Sequence, residues 1–71
     1  TNSYEVLFYN ETPYIQNAEG GYYVVYRVDG SVVKSAHITT QRETIEGLSQ
    51  GIYILNIYGK GKCWTSKLLV P

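Results

Sequence analysis

One cysteine, two prolines, no methionine and a formal charge of zero leave this 71-residue chain with few of the features that usually point to a function. A lone Cys63 cannot close an internal disulfide or build a metal site by itself, so the common staples of small domains are missing. Six basic side chains are matched by six acidic ones, which removes the basic stripe a general nucleic-acid binder carries. No run comes near the roughly twenty apolar residues of a membrane-spanning helix. The amino end lacks the basic and apolar regions of a signal peptide. A chain this short buries only about 60% of the surface its unfolded form exposes, so sheet packing, helped by a neighbouring domain, has to carry the stability. Residues 1–71 read as one domain, and a start on Thr1 without methionine leads us to expect a piece of a larger protein.

What the chain does have is tyrosine, in eight copies. With Val and Ile it dominates every apolar run, a composition suited to pleated, half-buried surfaces. Residues 4–9 predict a first strand, and Asn10-Glu11-Thr12-Pro13 predicts its end, since proline cannot donate to a ladder. Residues 14–17 form a second strand candidate. The run 22–28 and its return 31–37 flank Asp29-Gly30, a two-residue hairpin signal. Residues 39–43 read as loop and 44–48 as a short strand. A terminal hairpin then pairs 51–58 with 63–70 across Gly59-Lys60-Gly61-Lys62. No segment repeats apolar residues at helical spacing over three turns, so the expected fold is an all-β antiparallel sandwich or small barrel of about seven strands. Within the hairpin, Tyr53, Leu55 and Ile57 share one face and Ile52, Ile54, Asn56 and Tyr58 the other. Leu68 and Val70 oppose Lys67 and Leu69 in the same way.

Charge is unevenly spread. Residues 1–46 hold six acids and three bases, a balance of −3, while residues 47–71 hold Lys60, Lys62 and Lys67 without an acid, a balance of +3.

Catalytic chemistry finds little support. His37, the only histidine, follows a strand with no obvious nucleophile or orienting acid, so a strand-end role is expected. Cys63 beside Lys62 and Trp64 is a candidate thiol, but free cysteine is among the most buried residue types and packing is the expected role. Glu43 and Glu46 are close only in sequence, which does not place them across a substrate. The Gly59 to Lys62 stretch lacks the spacer and the Ser or Thr of a phosphate loop. Asn10-Glu11-Thr12 matches a glycosylation acceptor. The tyrosines offer a stacking platform for sugars or bases, although in so small a domain most are expected in the core. A non-catalytic protein without cofactor or metal is the outcome.

The order Tyr26-Arg27-Val28-Asp29-Gly30-Ser31-Val32-Val33, then Leu48-Ser49-Gln50-Gly51-Ile52-Tyr53-Ile54-Leu55-Asn56-Ile57, then a Gly/Lys turn and Ser66-Lys67-Leu68-Leu69-Val70 resembles the C-terminal sorting domain (type A) of the type IX, or Por, secretion system. The match runs over nearly the whole chain, most closely over residues 23–71. The resemblance implies a small immunoglobulin-like β-sandwich at the end of proteins that Bacteroidota secrete through the periplasm to the outer membrane and cell surface. It implies recognition by the outer-membrane translocon and its shuttle. It further implies cleavage by a sortase-like protein that joins the cargo to anionic lipopolysaccharide, or retention on a component of the machinery. On this reading Gly30, Gly51, Ile52, Tyr53 and Leu55 carry the family motif and the fold, and Lys67, Leu68, Leu69 and Val70 contact the translocon.

Elementary chemistry points the same way. An apolar strand at the chain end needs a core or a partner to cover it, an edge strand can pair with another chain, and the lysines suit acidic groups. Two rivals are an immunoglobulin-like module binding glycan or lipopolysaccharide through its tyrosines and an accessory domain packed on an upstream enzyme. Self-association through an edge strand is a further use of the same surface.

Overall fold

The structure, a computed structural model, describes residues 4–59 and 61–71. Seven strands follow one another: β1 (Glu5–Tyr9), β2 (Thr12–Gln16), β3 (Tyr22–Arg27), β4 (Val32–His37), β5 (Arg42–Thr44), β6 (Gly51–Gly59) and β7 (Lys62–Val70), with no helix among the described residues. They form two antiparallel sheets in the orders β1-β2-β5 and β4-β3-β6-β7. The expected all-β sandwich of seven strands is the fold.

Period-two patterning places the core. Ile15 of the small sheet faces Tyr23, Val25, Leu55, Ile57 and Leu68 of the large one, and Ile38 and Ile45 close the layer from the connections. Each fully buried aliphatic side chain stabilises the fold by about 1.5–3 kcal/mol relative to exposure. In β6 the inward set is Tyr53, Leu55 and Ile57, and in β7 it is Leu68 and Val70, which decides between the two sets that alternation leaves open.

Three local expectations are corrected. Pro13 lies buried inside β2 instead of ending a strand. The β1–β2 turn is Asn10-Glu11 alone, both with left-handed φ (50° and 65°), and it pairs Tyr9 with Thr12. In that phase Pro13 turns its backbone away from β1 and toward β5, where its carbonyl accepts the Ile45 N–H at 2.9 Å. Its missing N–H therefore costs the β1 ladder nothing.

Second, the Asp29-Gly30 hairpin has a three-residue loop. Gly30 N–H donates to Arg27 O at 2.9 Å and Arg27 N–H to Ser31 O at 2.8 Å, while Gly30 takes φ +93°, the left-handed position such a loop requires. Third, the strand expected at 44–48 lies earlier, at β5. Tyr14 and Ile15 pair with Thr44 and Glu43 there, so an open ladder on β2 outweighs the polar composition of the segment.

Candidate recognition site

The β6–β7 hairpin is the longest ladder in the molecule, nine consecutive pairs from Gly51↔Val70 to Gly59↔Lys62 with no irregularity. Two residues separate Gly59 from Lys62, and such a connection is closed by a hydrogen-bonded pair, which sets the phase of the whole ladder. Lys62, Trp64, Ser66, Leu68 and Val70 therefore bond to β6. Cys63, Thr65, Lys67 and Leu69 direct their N–H and C=O groups to the other side. The Arg27 to Ser31 bond continues the same phase across β6 and β3. No described strand pairs with the far side of β7, which ends the four-stranded sheet.

The four expected contact residues divide by this alternation. Leu68 and Val70 are 2% and 7% exposed and belong to the core, whereas Lys67 is exposed and Leu69 is 57% exposed. Leu69 pairs with Ile52, which also points outward and is 52% exposed. Beside them runs an apolar groove of about 390 Å³ lined by Phe8, Ile52, Leu69, Val70 and Pro71. Sequence reasoning did not single out Phe8. Its signal was the unbroken apolar run Val6-Leu7-Phe8-Tyr9, which puts apolar side chains on both faces of one strand.

The motif residues surround the start of the hairpin. Gly51 opens β6 with φ +153°, and the Tyr53 hydroxyl donates to Ser49 O at 2.7 Å. Leu55 is fully buried. Gly30 closes the β3–β4 loop, where Asp29 Oδ1 accepts from Ser31 N and Oγ at 2.9 and 2.8 Å. Those bonds, the backbone one first, hold the Asp29 carboxyl below its ordinary pKa, helped by Arg27. At the basic turn, Lys62 is exposed, and Lys60 lies outside the described residues.

Other candidate groups stay apart. His37 sits exposed at the end of β4, edge-on to Tyr22 at 6.0 Å. Glu43 Oε1 accepts from Thr39 N and Thr40 Oγ1, and Glu46 is exposed. Cys63 is exposed, against the expected packing role, because it belongs to the outward phase of β7 at the turn end. No group of three His, Cys, Asp or Glu side chains that could hold a metal occurs among the described residues.

The tyrosines also depart from expectation, since only Tyr23 and Tyr53 are buried. Tyr22, Tyr26 and Tyr58 lie on the outer face of the large sheet. Tyr22 and Tyr58 stack at 4.8 Å with an 18° interplanar angle, and Asn56 Nδ2 donates to Tyr58 Oη at 3.0 Å. Asn56 Oδ1 is buried there without a partner.

Compared with known proteins, residues 9–71 match a family model described as the secretion system C-terminal sorting domain. Neither the curated proteins nor the solved structures gave a match.

Proposed function

Since the chain belongs to the family of secretion system C-terminal sorting domains, signals for type IX secretion to the cell surface or beyond, we propose that the outer-membrane translocon recognises it at the closing hairpin. The contact segment is Lys67, Leu68, Leu69 and Val70, with the work divided inside it. Leu68 and Val70 anchor β7 in the core, and Lys67 and Leu69 present the surface that is read. The observation that carries this reading is the alternation itself, buried at 68 and 70 and exposed at 67 and 69. Gly30, Gly51, Ile52, Tyr53 and Leu55 belong to the family wording, with Gly51, Tyr53 and Leu55 shaping the sandwich and Ile52 flanking Leu69.

On this reading the domain is non-catalytic and binds no cofactor. It sits at the end of a larger secreted protein, is carried through the periplasm to the outer membrane, and leads to sortase-dependent attachment to anionic lipopolysaccharide. The test is a Lys67→Glu/Leu69→Glu double variant in the complete secreted protein. The expected result is a folded domain whose carrier accumulates in the periplasm. Normal surface delivery would overturn the proposal.

A second reading is favoured by the outward tyrosines. Tyr22, Tyr26 and Tyr58 around Asn56 form an aromatic and polar surface of the kind that stacks on sugar rings. Titration with purified lipopolysaccharide, followed by tyrosine and Trp64 fluorescence, distinguishes it. A saturable change lost in Tyr22→Ala supports glycan binding, and a flat titration rejects it.

A further inference from the structure

We propose that β7 is a strand-addition site, and that its occupant is an extended segment of another protein that carries an acidic residue and an apolar residue two positions apart. This rests on the proposed recognition at the closing hairpin and specifies how that recognition occurs.

The four sheet edges are not equivalent. β5 has three residues, β1 has five, and β4 has six with a register shift opposite Val25/Tyr26. β7 has nine residues in unbroken register and contains no proline. A long, regular edge is a ready template for another strand, and short or bulged edges are not. The ladder phase leaves the N–H and C=O groups of Cys63, Thr65, Lys67 and Leu69 directed outward, a regular series of donors and acceptors for an incoming backbone.

Side chains beside that edge define the occupant. In strand addition the backbone bonds supply affinity and pockets for alternate side chains supply selectivity. Lys67 and Leu69 lie two residues apart on the outer face, so an added strand meets a cation and then an apolar patch along one face. Opposite charges and apolar pairs across neighbouring strands are the favourable combinations. The groove among Phe8, Ile52, Leu69, Val70 and Pro71 continues the apolar part beyond the strand. β6 and β7 contain no acidic residue, so Lys67 has none beside it along this hairpin. A second copy of β7 would bring lysine and no acid to the same edge, which favours a different chain as the occupant.

The probe is a synthetic nine-residue valine–glutamate peptide, matched to the length of β7, with threonine at the odd positions and glutamate and valine taking turns at the even ones, so that an acid and an apolar residue stand two positions apart on one face. Its controls are the valine–lysine counterpart and the same valine–glutamate peptide with alternate backbone nitrogens methylated. With the full chain we expect saturable binding of the valine–glutamate peptide and amide shifts at Thr65, Lys67 and Leu69. We also expect at least a tenfold loss for either control. Thr65→Pro removes an edge N–H without touching the β6 ladder and should lose binding to the same extent. Lys67→Glu should reverse the preference between the two charged peptides.

Equal binding of the methylated peptide would overturn strand addition without depending on whether the proline variant folds. A concentration-dependent dimer that Thr65→Pro abolishes, in the absence of peptide binding, would overturn it in favour of a second copy. Secretion assays separate the two proposals. If Lys67→Glu/Leu69→Glu blocks secretion while the peptides do not bind, strand addition falls and the sorting site stands. If the peptides bind as expected while the double variant is secreted normally, the recognition site falls and the edge remains a strand acceptor.

Discussion

The hydroxyl of Tyr53 reaches back four residues to the Ser49 carbonyl, with its ring 8% exposed in the core. The bond resembles the tyrosine corner of β-sandwiches, which fixes the entry of a strand from the loop before it. It joins Leu48, Gly51 and Tyr53 into one structural unit. Leu48 packs on the core, Gly51 takes φ +153°, and Tyr53 ties the two together. Tyr53→Phe keeps the ring and loses one bond to an exposed loop, so urea unfolding should show a loss of about 0.5–1.5 kcal/mol with an unchanged slope. The motif was visible in the sequence, but the partner of its hydroxyl was not, because any of several carbonyls lies within reach of a tyrosine on a turn. Asp29 gives a pH signature of its own. Its pKa is lowered in the folded state by the Ser31 bonds, so its contribution is present above the unfolded value of about 3.9 and lost as pH falls through the folded one. Thermal melts of Asp29→Asn should accordingly show a shallower acid limb than the parent. Tyr23 acts at the other end of the scale. Burial, and then Glu43, raise its pKa, so its contribution is complete below about pH 10 and lost as pH rises through the folded value. Alkaline melts of Tyr23→Phe should show a shallower decline.

At the scale of the element, connections were less legible than strands. Alternation sorted the residues of β6 and β7 into two faces each, but which face is buried depends on register, and the pairing of β6 with β3 and β7 turns Leu55, Ile57, Leu68 and Val70 inward. Pro13 and the polar segment before Ile45 misled for one reason. Propensity describes an isolated strand, whereas the carbonyl of Pro13 and the edge of β2 were completed by β5 from thirty residues away in sequence. The β2–β3 connection makes the same point. Gly21 lies against the Tyr58 backbone carbonyl so closely that an added Cβ could not fit without displacing β6, and its own carbonyl accepts the Ile38 N–H at 2.8 Å. Nothing around Gly20-Gly21 distinguishes one glycine from the other in sequence, yet Gly20 has open space where a Cβ would go. Gly21→Ala should therefore cost about 1–3 kcal/mol through overpacking, measured by chemical unfolding. The contrast with Gly20 comes from the approach of β6.

For the molecule as a whole, the closing hairpin has to serve the core and a partner at once, and neighbouring residues in β7 separate the two duties. A domain of this size has a total stability on the order of 4–10 kcal/mol. Leu68 is 2% exposed, and truncating a buried leucine typically costs about 2–5 kcal/mol, a large share of that total. Leu69, at 57% exposed, contributes little to the core, and surface substitutions usually stay within about 0.5 kcal/mol. Leu68→Ala and Leu69→Ala should thus differ sharply in melting temperature, with Leu69→Ala close to the parent. If recognition belongs to the outward face, secretion of the complete protein should fall in both variants, in Leu68→Ala because the signal unfolds and in Leu69→Ala although it remains folded. Restoring Leu68→Ala by cultivation at lower temperature, while Leu69→Ala stays defective, would complete the separation. Equal secretion of Leu69→Ala and parent would instead remove Leu69 from the recognition surface and move recognition elsewhere, with the tyrosines Tyr22, Tyr26 and Tyr58 of the same sheet as the first place to test.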